Sequence, residues 1–264
     1  MPEGVRHPII ALWSHPRSMS TATERIMRER GDLTCFHEPF MYDYYVHRSV
    51  KQMPHFAIEA GRPTSLAAIR AMVVAAAALR PVFFKDMSYY VIEALDGERA
   101  FFAALIDVFL IRDPRRALMS YFRLDPDFTC EEAGLEAQWR HFQWLRAASG
   151  KTPPVIEAEV IAADPRQVMG RLWQAIGLDP VDGAFSWQVD NVPDDWSQVA
   201  GWHGTALSSA GIRPPPDESD AEVDARFAAL AAEHPRLKDV LDHHRPFYER
   251  LKAQALTAEC PAPR

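Results

Sequence analysis

Residues 9–29 read IIALWSHPRSMSTATERIMRE, and this stretch decides the fold class. Its start, Ile9–Trp13, is apolar, and so short a run before a turn signal predicts a buried β-strand rather than a helix. Ser20–Glu29 follows a cluster of hydroxyl residues and predicts a helix. The turn between them contains the cation Arg17. Backbone N–H groups and the positive end of the helix dipole converge at such a turn, so the stretch predicts an anion site.

The same turn has a purely structural interpretation, in which Ser18 or Ser20 is an ordinary helix N-cap and no ligand binds. A Walker A loop is disfavoured, because that motif requires glycines and a lysine, whereas the nearest glycine is Gly31. Classical ATP or GTP hydrolysis is therefore not what this turn indicates.

Short apolar runs alternate with amphipathic stretches through the first half of the chain. Together with Ile9–Trp13, the predicted strands are Leu33–Phe36, Val82–Phe84, Val108–Ile111 and Val155–Ile156. Besides Ser20–Glu29, the predicted helices are Ser65–Leu79, Arg115–Phe122, Glu131–Ala147, Pro165–Ile176, Ala221–Ala232 and Arg236–Leu251. This alternation predicts a three-layer α/β fold, with a central, mainly parallel sheet flanked by helices and a helical extension at the C-terminus.

Length and composition favour a single domain over residues 1–264. Hydrophobic residues make up 48% of the 264, which is enough apolar material for one large core. We expect residues 8–180 to form an α/β core, 181–218 to form an ordered cover loop rich in Gly, Pro, Trp and Asp, and 219–254 to form C-terminal helices. Residues 261–264 are expected to fray.

The charge of the chain excludes one class of partner. Its 36 acidic and 29 basic side chains give a net charge of −7, so a protein that coats DNA or RNA non-specifically is excluded. The stretch from Arg112 to Arg123 nevertheless contains four arginines and one aspartate, a local charge of +3. A small anion responds only to charges within roughly 10 Å, so this stretch favours a small, multiply charged ligand.

Cysteine usage and hydropathy indicate the compartment. Cys35, Cys130 and Cys260 are far apart, odd in number and free of CxxC spacing, which disfavours disulfides and a cysteine zinc site. Neither a secretory signal nor a membrane-spanning run is visible, so we expect a reduced, cytoplasmic protein that contacts no membrane. His243 and His244 are expected at the surface, and the sequence offers no cluster of metal ligands.

A second junction between a predicted strand and a predicted helix carries a related signal. Arg112 directly follows the strand Val108–Ile111, and Ser120 lies eight positions later in the next helix. By itself this pattern is also typical of a strand that leads into a proline-started helix with solvated arginines. Two such junctions in order along the chain are more specific than either alone.

Both junctions resemble the signatures of the sulfotransferase family. The run from Pro16 to Thr21 is similar to the loop with which these enzymes bind a 5′-phosphosulfate, and the pair Arg112 and Ser120 to their contacts with a 3′-phosphate. The resemblance covers about residues 8–180 and implies a P-loop-type fold. It also implies the donor 3′-phosphoadenosine 5′-phosphosulfate (PAPS), the product 3′,5′-ADP and no metal. The donor-binding residues it implies are Arg17, Ser18, Met19, Ser20, Thr21, Arg112 and Ser120.

One position departs from the family pattern. Met19 stands where the loop usually has glycine. The substitution implies a backbone conformation that tolerates a side chain at this position.

Sulfuryl transfer requires cations near the charge that builds up on the bridging and sulfuryl oxygens. The resemblance assigns this role to Arg17, for the leaving phosphate, and to Lys85, for the transferring group. Lys85 follows the predicted strand Val82–Phe84, and both cations are expected to face one crevice.

The general base is predicted from a third resemblance. Cytosolic animal sulfotransferases have a histidine where this chain has Met87, which cannot accept a proton. Other members carry a glutamate shortly after the second strand, and the word Cys35-Phe36-His37-Glu38-Pro39-Phe40 is similar to that segment. Glu38 is therefore the predicted base, with His37 as the alternative. A structural alternative leaves Glu38 only to pair with Arg17 or to cap the next helix.

The adenine and acceptor pockets are expected outside these motifs. The tryptophan that stacks on adenine in cytosolic members is Ala22 here, so we expect adenine to be held by Trp196, Trp202 or His203. The acceptor pocket is predicted on the aromatic stretch Phe40, Met41, Tyr42, Tyr44 and Tyr45. The alternative for that stretch is a helix that packs on the sheet.

The sequence thus predicts a PAPS-dependent sulfotransferase that acts on a hydroxyl or amine of a small molecule. A P-loop-type kinase for a small alcohol is one alternative, and it requires Mg²⁺ and ATP. The other is a non-catalytic nucleotide-binding or interaction domain, which tolerates loss of Glu38. The oligomeric state stays open, with a homodimer among the alternatives.

Overall fold

The fold is built on five short β-strands. The computed structural model describes residues 4–256, with residues 205 and 206 described in backbone only. The strands are β1 Ile9–Ser14, β2 Thr34–His37, β3 Val82–Met87, β4 Ile106–Ile111 and β5 Val155–Glu157. They form one sheet in the order β2-β3-β1-β4-β5, and all neighbouring strands are parallel. The predicted parallel sheet is confirmed.

Helices occupy most of the remaining chain. The α-helices within residues 4–256 are α1 Ser20–Glu29, α2 Leu66–Ala77, α3 Ser88–Val91, α4 Arg99–Phe102, α5 Pro114–Phe122, α6 Leu135–Ser149, α7 Ala158–Ala163, α8 Pro165–Ile176, α9 Gly204–Leu207, α10 Asp220–Glu233 and α11 Arg236–Lys252. The sequence predicts α1, α2, α5, α8, α10 and α11 to within two residues at each end. It misses α3, α4, α7 and α9, because one or two helical turns contain too few residues for a recognisable period.

The alternation of side chains along β1 builds a core on both faces of the sheet. Ile9, Ala11 and Trp13 belong to one hydrophobic cluster, and Ile10 and Leu12 belong to the other. The first cluster includes residues of α2, α5, α6, α10 and α11, whereas the second includes α1, α7 and α8. The three-layer α/β fold is thereby confirmed.

The order of the strands fixes where a ligand site forms. After β1 the chain builds β2 and β3 on one side of it and then β4 and β5 on the other. In parallel α/β sheets, ligands bind beyond the carboxyl ends of the strands at such a switch point. The loop after β1 and the residues that follow β2, β3 and β4 meet at this edge.

The predicted helix Glu131–Ala147 is wrong in one respect, because it is two elements. A 3₁₀ turn spans Glu131–Ala133, and α6 begins only at Leu135. Gly134 separates them with a φ of +82°, in the left-handed region that favours glycine. A Cβ at Gly134 would also lie 3.0 Å from the Cβ of His15, so the break lets α6 approach the loop after β1 closely.

The predicted cover loop contains regular structure. Residues 181–218 include 3₁₀ turns at Asp182–Phe185 and Asp194–Trp202 as well as α9. An isolated antiparallel bridge joins Ser186 to Gly211. Tryptophan side chains anchor the segment, for example Trp187, whose Nε1 donates to the carbonyl of Ser209 at 2.6 Å.

The surface prediction for the histidine pair is wrong for His244, which is only 1% exposed. Its Nδ1 accepts the backbone N–H of Glu136 at 3.3 Å, and its Nε2 lies 2.7 Å from the carbonyl of Cys130. Burial lowers the pKa of His244 to about 4. Cys130, His243 and His244 bring possible metal-ligand atoms within 4.8 Å of one another, but backbone groups engage both ring nitrogens of His244. The ring therefore joins the start of α6 to α11.

No helix within residues 4–256 is both long enough and apolar enough to span a bilayer. Cys35 and Cys130 are free thiols. Cys260, for which a disulfide was disfavoured above, and residues 261–264, which were expected to fray, lie outside the described residues.

Candidate active site

A cavity of about 420 Å³ opens at the carboxyl edge of the sheet. Its lining comes from the loop after β1, from the residues at the ends of β2, β3 and β4, and from the segment 199–216. All but one of the predicted site residues line it, namely Arg17, Met19, Ser20, Thr21, Glu38, Lys85, Arg112 and Ser120. Two junctions far apart in sequence therefore meet in one place. The exception is Ser18, which is fully buried in the loop after β1.

The loop after β1 is held in an unusual backbone conformation. Arg17 and Met19 have φ angles of +63° and +68°, in a region that costs a residue with a side chain roughly 1–2 kcal/mol. The expectation that Met19 adopts a conformation suited to side chains is therefore wrong. Such strain is retained where the surrounding structure enforces it, and it concentrates at functional sites.

The structural interpretation of the loop as an ordinary cap is not supported. Met19, not a serine, is the N-cap residue of α1, and within the described residues no side chain caps this helix. The Oγ of Ser18 is buried and has no hydrogen-bond partner in the described part of the chain. A buried hydroxyl without a partner is costly, so the loop keeps donors available for a bound group.

Two arginines face each other across this loop. Arg17 Nε donates to Ser120 Oγ at 3.0 Å and its Nη1 to the carbonyl of Trp202 at 2.6 Å, while Arg112 Nη1 donates to the carbonyl of Arg17 at 2.8 Å. Burial, with the charges of Arg112 and Arg123, lowers the pKa of Arg17 to about 10. It remains a cation at neutral pH, and these hydrogen bonds go to neutral groups. Arg112 also lies 3.8 Å from a Glu159 carboxylate oxygen, so the positive charge available to an anion is mainly that of Arg17.

The arginine-rich stretch divides between two roles. Arg112, Arg116 and Arg123 line the cavity. Arg115 instead binds three aspartates, with hydrogen bonds to Asp113 next to it and to Asp220 and Asp224 of α10. Three of the four arginines of this stretch thus line the cavity, and one of them, Arg116, is also paired with Glu218 at 2.8 Å. We call Arg17, Thr21, Arg112 and Ser120 the loop wall of the cavity.

Lys85 and Glu38 form a buried ion pair at the centre of the site. In the sheet His37 is paired with Lys85, so Glu38 emerges just beyond β2. Lys85 Nζ donates to Glu38 Oε1, and the Tyr90 hydroxyl donates to Glu38 Oε2 at 3.2 Å. Glu38 has a φ of +41° and its residue is only 5% exposed. The partner of Glu38 is therefore Lys85 and not Arg17, which corrects the structural alternative.

The protonation of Glu38 results from opposing effects. Burial alone raises the pKa of its carboxyl group, but the charge of Lys85 and the neighbouring His37 outweigh it and lower the pKa below its ordinary value. Glu38 is thus a carboxylate, ready to accept a proton. Its basicity is limited as long as the ammonium of Lys85 stays bound to it.

His37 lies outside the cavity lining and belongs to a buried chain of hydrogen bonds. Its Nδ1 is 2.6 Å from Glu24 Oε2, and its Nε2 is 2.9 Å from His203 Nε2. His203 in turn reaches Thr21 Oγ1 through Nδ1 at 3.2 Å. Both ring nitrogens of His37 are engaged away from the cavity, which disfavours it as the base. The sequence gives no signal for Glu24, because its contacts with His37 and Trp196 join separate elements of the fold.

The predicted acceptor pocket is wrong for all but one of its residues. Tyr45 lines the cavity, whereas Phe40, Met41, Tyr42 and Tyr44 do not line it and belong to the hydrophobic core. The opposite side of the cavity is formed by four tyrosines and two acids, which we call the tyrosine wall: Tyr45, Tyr89, Tyr90, Tyr121, Asp125 and Glu132.

The tyrosine wall is held by buried polar contacts. The Tyr45 hydroxyl lies 3.2 Å from the Tyr89 hydroxyl and donates to Glu132 Oε1 at 3.3 Å. Lys51 Nζ bridges Asp125 and Glu132 at 2.9 and 3.0 Å. One sequence signal was available, since Tyr89 follows the predicted strand with Lys85 at its end; the other members come from distant elements.

Of the three residues predicted to hold adenine, two line the cavity and the third does not. Trp202 and His203 line the cavity. Trp196 is 2% exposed, and its Nε1 donates to Glu24 at 2.9 Å. Trp202 Nε1 donates to the carbonyl of Pro54 at 2.7 Å, so the segment 194–207 packs over the cavity from the side of residue 54.

A parallel α/β sheet with an arginine-bearing anion loop after its first strand and a buried Lys–Glu pair beside it defines a group-transfer enzyme that handles anions. The model of the sulfotransferase domain family matches residues 8–255, and the chain belongs to that family. No curated protein matches the chain in sequence.

Two solved structures have the same fold. The sulfotransferase domain from the olefin synthase of Synechococcus PCC 7002 is 18% identical, covers 87% of this chain and 97% of that one, and has a TM-score of 0.55. The sulfotransferase domain from the curacin biosynthetic pathway is 14% identical, covers 86% of this chain and 98% of that one, and has a TM-score of 0.53. At these identities the likeness concerns the fold alone.

Proposed function

We propose that this sulfotransferase transfers the sulfuryl group of PAPS to a hydroxyl or amine of a small-molecule acceptor. The observation that carries the proposal is a single cavity in which the arginines of the loop wall and the Lys85–Glu38 pair line the same space. Cations for a multiply charged donor and a carboxylate for an acceptor proton are thereby available in one site.

The donor fits the loop wall in charge and in hydrogen-bonding capacity. Ser18 offers a buried hydroxyl that has no partner within residues 4–256, and Arg17 offers charge that its hydrogen bonds to neutral groups leave uncompensated. We assign the 5′-phosphosulfate to the loop Arg17, Ser18, Met19, Ser20 and Thr21. Arg112 and Ser120 would hold the 3′-phosphate, and the adenine would lie against Trp202.

These residues can carry out the complete transfer, with every bond and proton accounted for. The acceptor gives its proton to Glu38, the acceptor oxygen or nitrogen forms a bond to sulfur, and the bond from sulfur to the bridging oxygen breaks to leave 3′,5′-ADP. Arg17 stabilises the charge on the departing phosphate, and Lys85 the charge on the sulfuryl oxygens. The chemistry requires no metal.

Lys85 links donor binding to the activation of the base. In the described structure its ammonium is bound to Glu38, which lowers the pKa of the carboxyl group. When anionic sulfuryl oxygens share that ammonium, Glu38 loses part of its stabilisation and becomes a stronger base. The base is therefore strongest when the donor is in position.

The tyrosine wall is the proposed acceptor surface. Tyr90 contacts both Glu38, through its hydroxyl, and Tyr45, with ring centroids 5.6 Å apart. An acceptor lying on these rings would therefore have its hydroxyl or amine beside Glu38. Aromatic rings bury an apolar ligand while their hydroxyls remain available for hydrogen bonds.

The decisive test is thermal unfolding with 3′,5′-ADP, with ATP plus Mg²⁺, and with buffer alone. A ligand at about 100 times its dissociation constant stabilises a protein by about 2.7 kcal/mol, so we expect a clear rise in Tm with 3′,5′-ADP only. A rise with Mg-ATP and none with 3′,5′-ADP would instead favour a kinase.

Release of 3′,5′-ADP from PAPS, followed over a panel of phenols, alcohols and amines, then tests transfer. We expect release that depends on the acceptor. Binding of 3′,5′-ADP without acceptor-dependent release from any member of the panel would favour the non-catalytic domain.

A further inference from the structure

The buried chain Glu24–His37–His203–Thr21 begins and ends on helix α1, and Thr21 lies in the first turn of that helix, next to the anion loop. Its three hydrogen bonds measure 2.6, 2.9 and 3.2 Å. Glu24, His37 and His203 are 0%, 1% and 7% exposed, so water does not compete strongly for these groups. Thr21 and His203 both line the cavity, and Thr21 is the one member of this chain that belongs to the loop wall.

The position of one proton determines the direction of every bond in this chain. Glu24 Oε1 already accepts hydrogen bonds from Arg28 Nε at 2.7 Å and from Trp196 Nε1 at 2.9 Å, which keeps Glu24 an acceptor. His37 must then carry its proton on Nδ1 and present a bare Nε2 when neutral. His203 accordingly donates from Nε2.

The direction of these hydrogen bonds also determines the orientation of the Thr21 hydroxyl. A neutral His203 that donates from Nε2 has a bare Nδ1, which accepts the hydroxyl proton of Thr21. Thr21 therefore presents lone pairs to an anion in the cavity, whereas an anion requires a donor there. In this arrangement the hydrogen-bonded chain orients the hydroxyl of Thr21 unfavourably for the anion that the loop wall attracts.

We propose that anion binding at this loop is coupled to the uptake of one proton by the His37–His203 pair. The inference rests on the proposed function only in taking that anion to be the phosphosulfate of the donor or the 5′-phosphate of the product. It assigns Glu24, His37 and His203 to a positioning role for the hydroxyl of Thr21.

The proton balance of the bound state is complete. With one added proton His37 holds protons on both nitrogens and donates to Glu24 and to His203 Nε2. His203 then carries its proton on Nδ1 and donates it to Thr21 Oγ1, and the hydroxyl of Thr21 is free to donate to the anion. One proton comes from solvent, no bond to carbon or sulfur changes, and the site gains one positive charge.

The surroundings of the pair explain why the proton arrives with the anion. Burial and then the charge of Lys85 lower the pKa of His37, while burial, His37 and Lys85 lower that of His203. Both rings are therefore neutral in the free protein, and a multiply charged anion supplies the missing counter-charge. The charged groups that face the pair are Arg17, Glu24, Arg28, Glu38, Arg62, Lys85 and Asp195, the last accepting the backbone N–H of His37.

The sign of the pH dependence follows. Because the pKa of the pair is higher with the anion bound than without it, binding takes up protons between those two values. Affinity is highest at low pH and weakens as pH rises through the pKa of the bound state, by up to about tenfold per pH unit for one proton.

The variant Glu24→Gln reverses the chain without changing its shape. The amide oxygen can keep the bonds from Arg28 and Trp196, while the amide N–H₂ replaces Oε2 and donates to His37 Nδ1. His37 then donates from Nε2, His203 donates from Nδ1, and Thr21 can turn its proton to the anion with no proton taken up.

The test is isothermal titration calorimetry in buffers of different ionisation enthalpy at about pH 7, with 3′,5′-ADP and, separately, inorganic pyrophosphate. The slope of heat against buffer enthalpy counts protons. We expect the wild type to take up about half to one proton more than Glu24→Gln with the same ligand, which removes the ligand's own ionisation from the comparison. Exposed His47 provides the matched control, since His47→Gln should retain the wild-type slope.

A second variant keeps the coupling testable if Glu24→Gln does not fold. His203→Gln removes one ring of the pair and should lose the proton uptake in the same way, and thermal unfolding without ligand reports whether either variant folds. Equal slopes for wild type and both variants would overturn the coupling.

The two probes separate the coupling from the proposed function. If 3′,5′-ADP binds with no difference in slope, the coupling fails and the proposed function stands. If pyrophosphate binds with the expected difference but 3′,5′-ADP does not bind, the coupling stands and the proposed function fails. If neither binds, both are wrong.

Discussion

The loop wall and the tyrosine wall of one cavity are built in opposite ways. The loop wall comes from two short segments, the junction between β1 and α1 and the segment from the end of β4 through α5, and two of its contacts join Arg17 directly to Arg112 and Ser120. The tyrosine wall collects side chains from positions 45 to 132 that share no sequence pattern. The contrast teaches that a site for a common anion is encoded in local backbone, whereas a site for a particular acceptor is assembled by the tertiary fold.

The two walls also differ in charge and strain. The loop wall has arginines that line the cavity, and the loop after β1 that carries it has positive φ angles at Arg17 and Met19. The tyrosine wall instead carries Asp125 and Glu132, which share Lys51. Glu38 touches the tyrosine wall through Tyr90 and pairs with Lys85, so the proposed chemistry lies where the walls meet.

The largest effect is expected for Glu38, which lies where the two walls meet. Glu38→Gln keeps the shape of the side chain but cannot accept a proton, so turnover should fall by about 100-fold or more. Because the loop wall is untouched, the dissociation constant of 3′,5′-ADP should change by no more than about twofold. Steady-state release of 3′,5′-ADP and calorimetric binding measure the two quantities.

Tyr90→Phe is the matched control, since it removes only the hydroxyl that donates to Glu38 Oε2. This variant loses one hydrogen bond to the carboxylate but leaves Glu38 able to accept a proton, so turnover should fall by roughly tenfold or less. Unchanged turnover in Glu38→Gln would remove Glu38 from the mechanism and would leave the tyrosine wall without a base.

The next effect separates two arginines that look alike in sequence. Arg112→Met removes a cation of the loop wall, and the affinity for 3′,5′-ADP should fall about 10- to 100-fold, because a hydrogen bond to a charged group contributes about 1.5–3 kcal/mol. Arg115→Met, three positions away, removes a side chain that binds Asp113, Asp220 and Asp224 instead, and its affinity should stay within about threefold. Equal losses in both variants would mean that general charge, and not the geometry of the loop wall, holds the ligand.

The difference between the walls also explains how far sequence reasoning reaches. The strands, α1 and the placing of Arg17, Lys85, Glu38, Arg112 and Ser120 around one cavity were predictable, because parallel strands bring their carboxyl ends to the same edge. These residues lie near the carboxyl end of a strand, in the turn after a strand, or in the helix that follows it. The sheet periodicity and the two junctions carry that information locally.

Several of the errors concern contacts that no local pattern encodes. Phe40 was predicted in the acceptor pocket but packs in the core, where its ring centroid lies 5.8 Å from that of Phe84. Glu24 and His203 are 179 positions apart in sequence numbering and meet only through His37. His244 was expected in solvent, but α11 packs it against the start of α6.

The smallest expected effect tests whether the backbone at Met19, in the loop after β1, is strained. Met19 has a φ of +68°, so Met19→Gly should be more stable than Met19→Ala by about 1 kcal/mol, because glycine accepts this conformation and alanine does not. Both variants lose the same contacts of the methionine side chain, so the difference isolates the backbone. Urea unfolding measures it, and Ala22→Gly in α1, where the backbone is helical, should have the opposite sign and cost about 0.5–1 kcal/mol. A Met19→Ala variant as stable as Met19→Gly would show that the loop is unstrained, and the contrast between the walls would then rest on charge alone.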